Sequence, residues 1–365
     1  LRLNYPYVKK FYIACLFLLP VSVLAQPAGY YNSAWGKNGE ALRIALYNII
    51  KGHTALSYTP GLWNAYYTTD VKPNGKLATI YSDKPGGTPP YEFTLGTSQC
   101  SGSTPATEGV CYNREHIWPQ SKFGSAAPMY TDLWVVYPTD SKVNSQRADW
   151  PYGKVILASW TSQNGSKLGP NTYPGAPSTT AFEPIDSFKG DIARSYFYIT
   201  TRYYGDSAAF SDWEMAAKST LKPWVIQMLL EWHHLDPVSA KEKARNEAAY
   251  AQQNNRNPFI DEPRFADCIW AGNCAGLDVA NVNSSLFRLY MAPNPARSTV
   301  KIDWESLAPN EVLAMDIINV QGALMLHVAP GGNSLSVDVH AWPGGFYMLK
   351  VKTQHGVRTE KLLVE

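Results

Sequence analysis

Charge is scarce in this chain. Of its 365 residues only 17% are Asp, Glu, Lys or Arg, and the formal net charge at pH 7 is +2. That balance lacks the basic surplus that a nucleic-acid binder often shows, and a hydrophobic content of 45% excludes an intrinsically disordered chain. Histidine is scarce too: there are 7, without an HExxH pattern. The adjacent His233-His234 does not replace that pattern, because neighbours on a helix point about 100° apart, and His53 has no evident partner. Cysteine is limited to 5 residues without CxxC spacing, which argues against a structural zinc site. Long apolar runs are missing except near the start, where Lys9-Lys10 precede Phe11 to Ala25. That run is short and broken by Pro20, and Val23-Leu24-Ala25 before Gln26 fits a cleavage site. Residues 1–25 are therefore expected to be a secretory signal and not a membrane span.

A chain of this length can bury more than one core, and its character changes once, near Gly276. Four cysteines lie beyond the expected signal, in two local pairs. An even count in an exported protein favours disulfides, and Cys100 with Cys111 plus Cys268 with Cys274 is the simplest of the three connectivities that four cysteines allow.

Residues 111–154 hold the most telling chemistry, in Glu115-His116 and, downstream, Asn144. A carboxylate and an amide oxygen are hard ligands suited to Mg²⁺ or Ca²⁺, and a neutral imidazole can take a proton from an attacking water. That combination suits phosphodiester hydrolysis. The interval between Glu115 and Asn144 accommodates a strand end, a loop, a second strand and the first turn of a helix. Tyr130 to Tyr137 is aromatic and β-branched and predicts a strand. Thr139 or Asp140 is then placed to cap a helix containing Ser141 to Arg147.

The stretch resembles the endonuclease I family of secreted bacterial nucleases, of the ββα-metal (His-Me finger) type. The resemblance rests on Arg114-Glu115-His116-Ile117-Trp118-Pro119, Phe123-Gly124, Asp132-Leu133, Tyr137-Pro138-Thr139-Asp140, Val143-Asn144 with Arg147, and Asn255 to Asp261, all in order. It implies an α+β fold in which a mainly helical domain, residues 26–276, surrounds a ββα-metal core. It further implies Glu115 and Asn144 as ligands of one metal ion, Mg²⁺ or Ca²⁺, and His116 as general base. The expected reaction is sequence-nonspecific cleavage of DNA, RNA or both to 5′-phosphate products, by a monomer. Activity should fall in acid as the imidazolium accumulates, with an unperturbed pKa of about 6.5. Arg147 and Arg114 are the candidates for holding the phosphate, because the family arginine with that task sits, in some members, in an insertion missing here. Lys122 and Lys142 are candidate substrate contacts. They matter because residues 26–276 carry 22 basic against 22 acidic side chains, so any basic footprint must be local. One departure stands out: many members carry His and then His or Asn after Asp-Leu, where this chain has Trp134-Val135.

Around this centre the spacing predicts helices over Glu40 to Lys51, Asp191 to Tyr204, Lys222 to Leu235 and Pro237 to Gln253, the last with proline in its first turn. Pro/Gly-rich loops at 83–90 and 165–177 are placed to border a groove. Residues 277–285 read as a polar linker. Short alternating strands follow in 286–365: Val300 to Trp304, Val312 to Val320, Ala323 to Val328, Ser334 to Val339, Gly345 to Val351 and a basic last strand at Arg358 to Lys361. They predict a small all-β, immunoglobulin-like sandwich. With Met291-Ala292-Pro293-Asn294-Pro295, Asn319-Val320-Gln321-Gly322 and Gly344-Gly345-Phe346-Tyr347, this tail resembles the type IX secretion sorting domain of Bacteroidetes-like bacteria. The resemblance implies an export machine as partner and a secreted or cell-surface location, reached through the periplasm. The rival reading is a noncatalytic surface or adhesion protein whose nuclease fold decayed at Trp134-Val135.

Overall fold

The computed structural model describes residues 26–205, 210–274, 287–306, 312–329, 331–353 and 356–365. The expected signal segment 1–25 and linker 277–285 lie outside them.

The first body is built on helices. Helix α1, Gly39–Ile50, buries Leu42, Ala45, Leu46 and Ile50 at the predicted spacing. Helix α2, Gly61–Thr69, was not evident from the sequence; it turns Leu62, Ala65 and Tyr66 inward. A hairpin follows, formed by β1, Tyr112–His116, and β2, Val136–Asp140, and it runs straight into α3, Ser141–Arg147. Strands β3, Trp160–Thr161, β4, Lys167–Pro170, and β5, Thr180–Glu183, make a small antiparallel sheet that the sequence did not foretell.

Helix α4, Asp186–Arg202, is the centre of the core. It starts earlier than predicted, and from Ile192 to Arg202 every residue is buried, as expected of a helix packed on all sides. The aromatic run Tyr196, Phe197 and Tyr198 therefore serves packing. After the two-residue strands β6, Ala216–Ala217, and β7, Thr220–Leu221, come α5, Pro223–Leu235, and α6, Ala240–Gln253. Proline does not open α6. Ser239 does, through a capping box in which its hydroxyl accepts from Glu242 N–H and the Glu242 carboxylate accepts from Ser239 N–H.

One predicted element is wrong. Instead of a strand over Tyr130 to Tyr137, Met129–Thr131 form a 3₁₀ turn and pairing begins only at Val136. The cause is Asp132, fully buried, whose Oδ1 accepts from Trp134 N–H at 2.9 Å while its backbone carbonyl accepts from Val135 and Val136 N–H. Tyr198 and Tyr203 donate to its Oδ2 at 2.8 and 2.9 Å, and Gln253 donates to its Oδ1 at 3.0 Å, so the turn is held from three sides. His53, which lacked a partner in the sequence, sits 3.7 Å from the same carboxylate and takes a hydrogen bond from Arg202 Nε at 2.9 Å.

The tail is the predicted sandwich. Strands β8, Phe287–Ala292, β9, Thr299–Ser306, and β12, Ser334–Asp338, form one antiparallel sheet in the order β12-β9-β8. Strands β10, Val312–Asn319, β11, Leu324–Val328, β13, Gly345–Thr353, and β14, Gly356–Val364, form the other, in the order β11-β10-β13-β14. Ile302, Trp304, Met315, Ile317, Leu349 and Leu362 fill the space between them.

Candidate active site

The site is a ββα unit. Strands β1 and β2 pair antiparallel with Tyr112 opposite Asp140 and His116 opposite Val136. Asp140 then caps α3, its Oδ1 accepting from Lys142 N–H at 2.7 Å and Val143 N–H at 3.0 Å. Such a cap contributes about 1 kcal/mol. The Cys100–Cys111 disulfide closes a loop immediately before β1, and Cys100 N–H donates to the Tyr112 carbonyl at 3.0 Å. The second disulfide joins Cys268 to Cys274, so the structure has the local pairing.

Alternation along β1 puts Asn113 and Glu115 on one face, toward α3. Asn144 and Arg147, three apart on that helix, meet them. Asn144 Nδ2 donates to Asn113 Oδ1 at 2.9 Å and to the Arg114 carbonyl at 3.2 Å, which fixes the amide and directs Oδ1 to the other side. Glu115 is 3% exposed, and its Oε1 accepts from Tyr81 Oη at 3.0 Å and faces Arg147 Nε at 3.4 Å. Burial raises the Glu115 pKa above the ordinary carboxylate value, and the Arg147 charge opposes that shift.

His116 ends β1 and is oriented by different neighbours. Its Nε2 lies 3.0 Å from the Tyr130 carbonyl, which can only accept, so Nε2 carries the proton. Nδ1 is then the basic nitrogen, and the Gln120 side-chain amide donates to it at 2.9 Å. The imidazole stacks on Tyr130 with centroids 5.2 Å apart, and Tyr130 stacks on Tyr58 at 4.4 Å. Burial pushes the His116 pKa down to about 4. The imidazole therefore stays neutral to more acidic pH than an ordinary histidine.

Both candidate phosphate arginines are engaged elsewhere. Arg147 is 1% exposed and donates to the Ile117 carbonyl at 2.7 Å and the Ala148 carbonyl at 2.9 Å. It is a buried strut and not a group open to a phosphate. Arg114 is half-buried, its guanidinium 3.4 Å above the Tyr58 ring and 4.1 Å from the Trp63 ring, with Thr59 Oγ1 accepting at 3.0 Å. Lys122 lies 5.9 Å from the Trp213 ring and, like Lys142, is partly exposed. His233 is buried against Phe197 and His234 pairs with Asp267, so the two do not converge.

Tyr81, Gln120, Tyr130 and Asn113 are site residues that sequence reasoning missed. Gln120 lies four residues after His116, a spacing that could have flagged it. Tyr81 lies 34 residues before Glu115, and no local pattern marks it.

Among the described residues no group of three or more His, Cys, Asp or Glu side chains could hold a metal ion. One carboxylate and one amide oxygen instead fit a cation that prefers oxygen and keeps most of its waters, as Mg²⁺ does. The fixed Asn144 amide, with both of its observed bonds on nitrogen, meets that need.

Trp134 and Val135 lie in the core. The Trp134 ring packs by Tyr198 at 6.1 Å and under Arg245 at 5.0 Å, sharing no partner with Glu115, His116 or Asn144.

Comparison with known proteins finds two families along the chain. Residues 38–264 match the Endonuclease I family, and residues 290–365 match the family described as Secretion system C-terminal sorting domain. An extracellular ribonuclease of Bacillus amyloliquefaciens is 37% identical over 254 residues, 66% of this chain and 78% of its own length. One from Bacillus subtilis (strain 168) is 35% identical over 262 residues, 69% of this chain and 81% of its own. No helix among the described residues is long and apolar enough to cross a membrane. The chain belongs to the endonuclease I family and is a secreted or cell-surface nuclease with a C-terminal sorting domain.

Proposed function

We propose that the chain is a metal-dependent, sequence-nonspecific endonuclease that hydrolyses RNA to 5′-phosphate products, with His116 as general base and Glu115 and Asn144 as the ligands of one Mg²⁺ or Ca²⁺ ion. The observation that carries this reading is the contact of His116 Nε2 with the Tyr130 carbonyl at 3.0 Å. A backbone carbonyl holds Nε2–H, which leaves Nδ1 unprotonated at the end of the strand that also bears Glu115. In this reading Gln120 gives up Nδ1 to the attacking water, and Nδ1 takes its proton. A divalent cation at Glu115 and Asn144 would supply positive charge to the phosphoryl oxygens and the leaving oxygen. Tyr130 and Tyr58 keep the imidazole in plane, and Asn113 holds the Asn144 amide.

RNA is favoured as substrate because both relatives are named extracellular ribonucleases. The noncatalytic reading has lost its motivation, since Trp134 and Val135 are core residues. The test is digestion of total RNA and plasmid DNA by the purified protein with Mg²⁺, Ca²⁺ or EDTA, beside His116→Ala and Asn144→Ala. Cleavage that needs metal and falls by at least ~10²-fold in both variants is expected, the scale of general-base catalysis. Cleavage unchanged by EDTA, or retained in His116→Ala, refutes the mechanism.

A further inference from the structure

The backbone takes an unusual course to bring one phenol to Glu115. Ile80 is zipped onto β2: its N–H donates to the Pro138 carbonyl at 3.0 Å, and its own carbonyl accepts from Thr139 Oγ1 at 2.6 Å. The chain then reverses at Tyr81 with φ of +68°, a left-handed conformation that a bulky residue rarely adopts. Glycine would relieve that strain but could not reach the carboxylate. The Tyr81 ring is fully buried, edge-on to Phe182 at 4.9 Å, and its hydroxyl ends on Glu115 Oε1 at 3.0 Å.

A second phenol completes the arrangement. Tyr152 Oη is hydrogen-bonded to Tyr81 Oη. Tyr81 spends its proton on the carboxylate, so Tyr152 donates and Tyr81 accepts. The Tyr152 ring lies under the Arg147 guanidinium, whose Cζ is 4.9 Å from the ring centroid, and Arg147 faces the same Glu115 oxygen. Both anchors fall on Oε1. The carboxylate is thereby fixed through Oε1, which limits its rotation. A phenol as donor does this without adding a second cation beside a site that must accept one.

We propose that Tyr81, backed by Tyr152, is the positioning residue that orients Glu115 for the divalent cation, which rests on Glu115 being a metal ligand. Neither tyrosine touches substrate in this scheme; they act through the carboxylate. The left-handed turn at Tyr81 is what places the phenol beneath β1.

Tyr81→Phe removes one oxygen and keeps the ring. The readout is the dissociation constant for Mn²⁺, and for Mg²⁺, measured by calorimetry on the whole exported chain, with melting of the metal-free protein in parallel. Loss of a group that orients a metal ligand weakens affinity by about 10–100-fold, and that rise in dissociation constant is expected for Tyr81→Phe. A smaller rise of the same sign is expected for Tyr152→Phe, which also serves if Tyr81→Phe does not fold. Ribonuclease activity of Tyr81→Phe should recover at saturating Mg²⁺, which a general loosening of the fold would not produce. Cation affinity within twofold of wild type in either folded variant overturns the proposal. Cation binding that survives Glu115→Gln overturns it too, but that result also removes Glu115 from the metal site, so the two failures are distinguishable.

Discussion

Replacing Arg147 with Met separates two roles for this residue. The guanidinium is 1% exposed, donates to the Ile117 and Ala148 carbonyls at 2.7 and 2.9 Å and stands 3.4 Å from Glu115 Oε1. Methionine fills a similar volume but leaves a buried carboxylate without its cation. Breaking a buried pair from one side costs about 3–5 kcal/mol. The two carbonyls lose charge-assisted bonds as well, though that cost is not additive with the first. A total near ~4 kcal/mol is a large part of the ~5–15 kcal/mol that stabilises a typical domain. Urea unfolding of the metal-free protein should therefore show a much lower midpoint. The added change Glu115→Gln removes the stranded charge and should restore part of the loss, giving a coupling of at least ~1 kcal/mol in a double-mutant cycle. Unchanged stability together with a raised KM for RNA would refute the reasoning and return Arg147 to the phosphate-binding role expected from the sequence.

Asp140→Ala removes the α3 cap and the acceptor for Gly109 N–H at 2.7 Å, and should destabilise the nuclease body by about 1–2 kcal/mol in chemical denaturation. An equal midpoint would contradict the capping role. Acid should destabilise the fold through His53 and His233, whose pKa values burial lowers, to about 4 for His233. Both stay neutral in the fold after the unfolded chain begins to protonate near pH ~6.5, so stability is complete above that pH and declines below it, for His233 down to about pH 4, each histidine adding a slope of at most about 1.4 kcal/mol per pH unit. His233→Phe should flatten part of that decline in urea midpoints measured against pH. Deleting residues 286–365 should trap the nuclease in the periplasm; unchanged appearance outside the cell would sink the sorting role.

Much of the site was legible because it is compact in sequence. Glu115, His116 and Asn144 sit on a hairpin and the helix directly after it, and Thr139-Asp140 marks the start of that helix by side-chain chemistry, with Asp140 the residue that caps it. The parts that were not legible depend on distant partners. A strand over Tyr130 to Tyr137 suits local propensity, but Asp132 is captured by Tyr198, Tyr203 and Gln253, which lie 66, 71 and 121 residues away. Local propensity loses to that buried network. Arg147 reads as a phosphate-binding charge because the partners that bury it, the Ile117 carbonyl and the Glu115 carboxylate, lie 30 and 32 residues before it. Tyr81 and Tyr58 reach the site across loops that carry no pattern. In the tail the alternation of short strands sufficed, since strands such as β9 and β13 bury one face and period two records it.

The Cys100–Cys111 bridge has a consequence for the cell that makes this enzyme. In a reducing cytoplasm the two thiols stay apart, and the strand bearing Glu115 and His116 lacks its covalent tether during synthesis, when the cell's own transcripts surround it. Oxidation after export ties the strand down. The bond is thus a chemical mark of destination, because only an oxidising compartment lets this tether form.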